Sequence, residues 1–149
     1  MQPTLREFGP QLEGIEYIER PGVYAIIEND SRQIAVIETG SGCFLPGGAL
    51  EPGETEAQAL QREVVEELGY QVSTLVKIGE AVEYLKAYAD GKYYRIHGMF
   101  YTAQLGPKVG ESQEKDHRLV WLPQTTALKL LTRPSQAWAI RNIAQRMSF

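Results

Sequence analysis

Glu63, Glu66 and Glu67 stand close together in the run QREVVEELGY. At about 100° per residue on a helix, Glu63 and Glu67 fall along one edge with Glu66 a little further round, so three carboxylates share one volume. Like charges at i and i+4 cost a helix roughly 0.2–0.5 kcal/mol per pair, and a divalent cation reverses that sign. Clustered hard oxygen ligands suit Mg²⁺ or Mn²⁺, and Mg²⁺ shares its shell with waters and substrate phosphates. The plain alternative is a solvated acidic face, the usual role of glutamates on a helix.

The helix that positions them is legible from its ends. Thr55 with Gln58 three positions later forms a capping box, and Gly69 supplies the stop. Between them Ala57, Leu60, Val64 and Leu68 recur at helical spacing as one apolar stripe. The loop before it carries Gly47 and Gly48, where backbone carbonyls can approach a ligand. Pro52 and Gly53 suit the centre of a type II turn that folds Glu51 and Glu54 back toward the helix start.

In order, Gly48, Glu54, Arg62, Glu63, Glu66, Glu67 and Gly69 resemble the Nudix box of the Nudix hydrolases, at the spacing of that motif through Tyr70. A chance match of these seven residues is on the order of one in 10⁸ per window, so the resemblance is specific. Tyr70 departs from the aliphatic residue usual there. The resemblance implies an α/β/α sandwich with a mixed β-sheet and metal-dependent hydrolysis of a nucleoside diphosphate linked to another group. It implies Glu66 and Glu67 as metal ligands with the Gly48 carbonyl, and Glu63 as general base or further ligand. Arg62 and Glu54 would pair to hold the loop on the helix. A further acidic ligand from outside the box is expected, with Glu114 favoured over Glu111 and Glu83. Tyr88 lies where dinucleoside polyphosphate hydrolases of the family carry a tyrosine. No proline falls between Pro52 and Pro107, unlike the ADP-sugar hydrolases. A catalytically silent sensor domain of the same fold is the competing expectation, although such domains usually lose box glutamates.

The rest of the chain bounds these expectations. Its 149 residues suit a single domain, and 43% hydrophobic with 23% charged residues suits a soluble globular one. No apolar run is long enough to span a bilayer and no basic-then-apolar leader opens the chain, so the expectation is cytoplasmic, with no membrane partner. The lone Cys43 leaves no internal disulfide, and Phe44 and Leu45 beside it suggest a buried strand. A net charge of −4 without a Lys/Arg cluster argues against polymeric nucleic acid and leaves a small nucleotide as the partner; a homodimer stays open.

Val23 to Glu28 and Gln33 to Glu38 read as a hairpin around Asn29, Asp30 and Ser31. Strands follow at Cys43 to Leu45, at Val72 to Tyr88 interrupted by Gly79, at Tyr93 to Gln104 and at Arg118 to Leu122. Leu105 to Asp116 reads as a loop. A short apolar segment at Leu128 to Leu131 precedes a helix opened by Pro134, with Ala137, Ile140, Ala144 and Met147 facing a core. Met1 to Arg20 carries no firm pattern. Arg20, Lys92 and Arg95 are candidates for distal substrate phosphates. His97 reads as a satisfied sheet residue and His117 as exposed at a loop end.

Overall fold

The computed structural model describes the backbone of residues 5–147 and the side chains of residues 5–142. The chain runs β1 (Arg6–Phe8), β2 (Ile18–Ile27), β3 (Gln33–Thr39), β4 (Gly42–Phe44), β5 (Gly47–Ala49), α1 (Glu56–Leu68), β6 (Tyr70–Lys86), β7 (Tyr93–Lys108), β8 (Arg118–Pro123), α2 (Gln124–Leu130) and α3 (Pro134–Met147). A five-stranded sheet has the order β1-β6-β7-β2-β5, and a three-stranded sheet has β4-β3-β8. β1 runs parallel to β6 and β2 parallel to β7, while the other pairs are antiparallel, so the large sheet is mixed.

β3 and the second half of β2, residues 22–27, are buried on both faces because Val, Ile, Ala and Tyr occupy successive positions there. Tyr24, Ile26, Ile34 and Val36 join a core with Phe100 and Ile140 of α3. Val23, Ala25, Ala35 and Ile37 point the other way, onto Ala59, Leu60, Val64 and Leu68 of α1. This is the layered α/β architecture expected. Ala57 is exposed, while Leu60, Val64 and Leu68 are buried as expected and Ala59 and Glu67 widen the buried stripe on one side.

Three local readings change. β2 and β3 share a single bridge, Glu28 with Ile34, and then diverge into different sheets. The Asn29 turn is real, but burial on both faces makes each strand a layer centre and not one half of a ladder. β7 continues to Lys108, past the glycine and proline that suggest a loop, because Tyr70 and Val72 pair with it across bulges. The N-terminal segment yields β1 against β6. The core role of Ala144 and Met147 falls outside the described side chains. Among the described residues no helix is long and apolar enough to cross a membrane.

Candidate active site

α1 starts with both capping-box bonds in place: the Gln58 N–H donates to Thr55 Oγ1 at 3.1 Å and the Thr55 N–H to Gln58 Oε1 at 3.0 Å. It ends on Gly69 in the left-handed region, φ 76°. The loop before it closes as the turn expected, with Gly53 at φ 85° and the Glu54 N–H donating to the Glu51 carbonyl. The glycine loop is tightly packed, against backbone at Gly47 and against the end of the Glu63 side chain at Gly48. A Cβ on Gly47 would come 2.0 Å from the Val23 carbonyl oxygen, and one on Gly48 within 2.6–2.7 Å of the Glu63 carboxylate.

Arg62 knits loop to helix. Its Nε and Nη2 donate to the two oxygens of Glu54 at 2.6 and 2.9 Å, and Nη2 also reaches the Ala49 carbonyl at 3.0 Å. Its Nη1 donates to Glu63 at 3.1 Å and Glu66 at 3.2 Å. The bidentate pair holds the Glu54 carboxyl below the usual carboxylate range. One guanidinium therefore fixes two of the three clustered carboxylates, and sequence spacing alone shows no more than the Glu54 pairing.

Glu67 is the buried member, 8% exposed, with the Gly47 N–H donating to its Oε1 at 2.8 Å. Burial pushes its carboxyl up to about 8, reinforced by Glu63, Glu114 and Glu66 and opposed by that backbone bond. Burial raises Glu63 too, against the pull of Arg62.

The segment after β7 is tied to the end of α1: the Gln113 N–H donates to the Glu66 carbonyl at 2.8 Å and the Val109 N–H to the Gly69 carbonyl at 2.7 Å. It brings Glu114, Asp116 and His117 together, with ligand atoms within 4.8 Å of one another. His117 is not the exposed loop end expected. Its Nδ1 lies 3.3 Å from Glu67 Oε2, badly aligned for a hydrogen bond, and is a buried nitrogen without a partner. Glu111 points outward to Lys108, and Glu83 is buried with its Oε1 accepting the Ser135 N–H at the start of α3.

A cavity of about 300 Å³ opens beside Glu67 and is lined further by His117, Gly48, Arg20, Arg133 and Gln136. Arg20 lines the same cavity as Glu67, whereas Tyr88 stands 99% exposed on an adjoining depression. Arg95 pairs with Glu19 and contacts the Tyr84 hydroxyl instead. His97 is satisfied by Glu80 at 2.6 Å. Arg133, Gln136 and His117 are the additions from structure. Gln136 reaches the cavity by binding Leu45, 91 residues away, a pairing no local pattern announces.

The donor set fits a hard divalent cation. Glu63 and Glu66 each accept from Arg62 Nη1, their charges and that of Glu114 act on the buried Glu67, and one buried nitrogen beside Glu67 lacks a partner, although among the described residues the ligand atoms that lie within 4.8 Å of one another are those of Glu114, Asp116 and His117.

The comparisons with known proteins agree with this fold. A NUDIX hydrolase from Nitrosomonas europaea superposes with a TM-score of 0.70 over 87% of this chain and 90% of that one, at 21% identity, a likeness of fold. A Mycobacterium tuberculosis (strain H37Rv) protein provisionally named 8-oxo-dGTP diphosphatase 2 is 39% identical over 82 residues, 52% of this chain and 51% of that protein. A Bacillus subtilis (strain 168) protein provisionally named 8-oxo-dGTP diphosphatase is 38% identical over 60 residues, 39% of this chain and 40% of that protein. The chain spans about half the length of these curated relatives or less. The family profile described as NUDIX domain matches residues 18–143, and the chain therefore belongs to the NUDIX domain family.

Proposed function

We propose that this chain is a divalent-cation-dependent hydrolase that cleaves the diphosphate linkage of a nucleoside diphosphate joined to another group: a nucleoside triphosphate, a dinucleoside polyphosphate or a nucleotide sugar. The observation that carries the reading is the Glu63 and Glu66 carboxylates held by one Arg62 nitrogen next to the buried Glu67, which lines a cavity together with Arg20 and Arg133. Carboxylates at one part of a cavity and guanidinium groups at another suit a substrate whose phosphates meet the carboxylates through a cation. The diphosphatase names of the relatives support the same reaction class.

Glu66 and Glu67, with the Gly48 carbonyl and Glu114, would hold Mg²⁺ or Mn²⁺. When bound, that ion neutralises phosphate oxygens and acidifies water. Glu63 takes the proton from the attacking water: burial makes its carboxylate more basic, and Arg62 fixes one of its oxygens. Arg62 and Glu54 keep loop and helix in register so that these groups hold in-line geometry. The reading places one such domain on a small nucleotide, in the reducing cytoplasm that a lone free cysteine suits.

Replacing Glu66 or Glu67 with Gln is expected to lower turnover about a hundred-fold or more, the scale of removing one transition-state charge stabiliser. Calorimetry should show Mn²⁺ binding lost in both with the circular dichroism spectrum unchanged, while Glu63→Gln loses turnover and keeps the metal. Wild-type rates in Glu66→Gln and Glu67→Gln would overturn the reading. Absence of any hydrolysis product (nucleoside monophosphate, pyrophosphate or a phosphorylated leaving group) from every nucleotide tried with the wild type and Mg²⁺ would point to a silent nucleotide-binding domain.

A further inference from the structure

Away from the glutamates, the cavity presents the donors of Arg20, Arg133 and Gln136 beside the hydroxyls of Tyr24, Thr39 and Ser41, which can donate or accept. Arg20 stacks on Tyr94 with its guanidinium carbon 4.4 Å from the ring centroid, and Arg133 stacks on Phe44 at 5.3 Å. Stacking fixes the plane of a guanidinium and leaves its N–H groups free at the edge. Among the described residues neither arginine forms an ion pair within 4.0 Å. Gln136 is 1% exposed and lines the same cavity. Its Oε1 accepts the Leu45 N–H at 2.8 Å, and since a backbone N–H can only donate, this bond settles which way the amide faces. The NH₂ is left as the free end, with no acceptor among the described residues. The carboxylates on the cavity, Glu67 and Asp116, belong to the other part, around His117.

We propose that Gln136, Arg133 and Arg20 form a donor-only wall that selects nucleotides whose base edge carries carbonyl oxygens over those carrying an amino group at the same position. The inference rests on the hydrolase reading above and extends it to the class of base. Phosphate oxygens are the other acceptor-only ligand such a wall could meet. Tyr24, Phe44 and Ile96 line the cavity as well, and their apolar surface suits the face of a flat heterocycle better than a solvated phosphate chain. An amino group turned toward this wall sets donor against donor and leaves a buried Gln136 N–H unpaired, a mismatch that commonly discriminates ten-fold or more.

Matched nucleotide pairs test it, since ITP and ATP differ in their base at the C6 oxo or amino position, and UTP and CTP at C4. The expected result with Mg²⁺ is a kcat/KM at least ten-fold higher for ITP than ATP and for UTP than CTP. Gln136→Glu keeps an oxygen for the Leu45 N–H and turns the free end into an acceptor, so the preference should shrink or invert. Equal kcat/KM within each wild-type pair, or an unchanged preference in Gln136→Glu, overturns the wall. Calorimetry in EDTA with IDP and ADP reads binding without turnover and should show IDP tighter in the wild type only. Equal or undetectable binding of both overturns the inference, as does inorganic tripolyphosphate binding that depends on Gln136 and Arg133 as strongly as IDP binding does. IDP preference without hydrolysis of any of the four triphosphates would sink the hydrolase reading and leave the wall standing.

Discussion

Glu67 shows how one residue can be legible in type and hidden in consequence. Its place beside an apolar stripe follows from helical spacing, but its burial comes from β5 and the segment at 109–117 closing over it. Between its ordinary value near 4.5 and about 8, the folded protein holds a proton that the unfolded chain has released. Stability of the metal-free protein therefore falls as pH rises through that window, by up to a contribution on the order of a few kcal/mol. Thermal melts in EDTA at pH 5.5 and pH 8 should show the wild type losing more than Glu67→Gln, and Mn²⁺ should restore more at pH 8. Identical pH slopes in the two proteins would refute the assignment. Gly48 makes a second prediction. A Cβ there meets only the mobile end of Glu63, so Gly48→Ala should cost little stability yet displace that carboxylate and reduce turnover at least about ten-fold. Wild-type kinetics in that variant would show that the close approach is incidental. Box residues such as these share a contiguous motif and can be read from the chain. Arg133, Gln136 and His117 come from distant segments with no periodic signal, and they cannot be.

At the scale of elements, the best-read parts have their chemistry at their own ends. α1 is delimited by Thr55, Gln58 and Gly69, and the loop before it by Pro52 and Gly53, all local and all read correctly. The hairpin assigned around Asn29 fails for the opposite reason: which sheet receives β2 and β3 depends on β7 and β8, far along the chain. The C-terminus of α1 is also where helix and site segment meet. Gly69 at φ 76° accepts the Val109 N–H through its carbonyl, and a Cβ on it would sit 2.1 Å from the Gly110 carbonyl oxygen. Gly69→Ala is therefore expected to destabilise by roughly 2 kcal/mol or more, combining left-handed strain with a backbone clash. It should also lower kcat by shifting Glu114 and His117 away from Glu67. Thr55→Ala at the other end removes a cap worth about 1 kcal/mol and should leave kcat intact. Urea melts paired with kinetics separate the two; an equal effect on kcat would mean that the helix C-terminus does not position the segment.

The whole molecule has two cores but one set of strands between them. β2 sends Tyr24 and Ile26 to the layer with α3, and Val23, Ala25 and Ile27 to the layer with α1; β3 alternates in the same way. Neither core can lose its packing while these strands keep theirs, because each backbone serves both faces. A tryptophan reports on each side: Trp138 packs against the first core, edge-on to Phe100, and Trp121 against the second. Single-tryptophan variants, Trp138→Phe and Trp121→Phe, should therefore give coincident urea transitions once each is referred to its own stability. Phe100, fully buried, tests the coupling directly. Phe100→Ala should cost about 3–5 kcal/mol and move the Trp121 signal as far as the Trp138 signal, although Phe100 lies in the core that Trp121 does not touch. If the Trp138 side melted first and the Trp121 side held, the α1 layer with its glutamates would be a separately stable unit. The site could then survive damage to the opposite core, which shared strands at the centre of both layers should forbid.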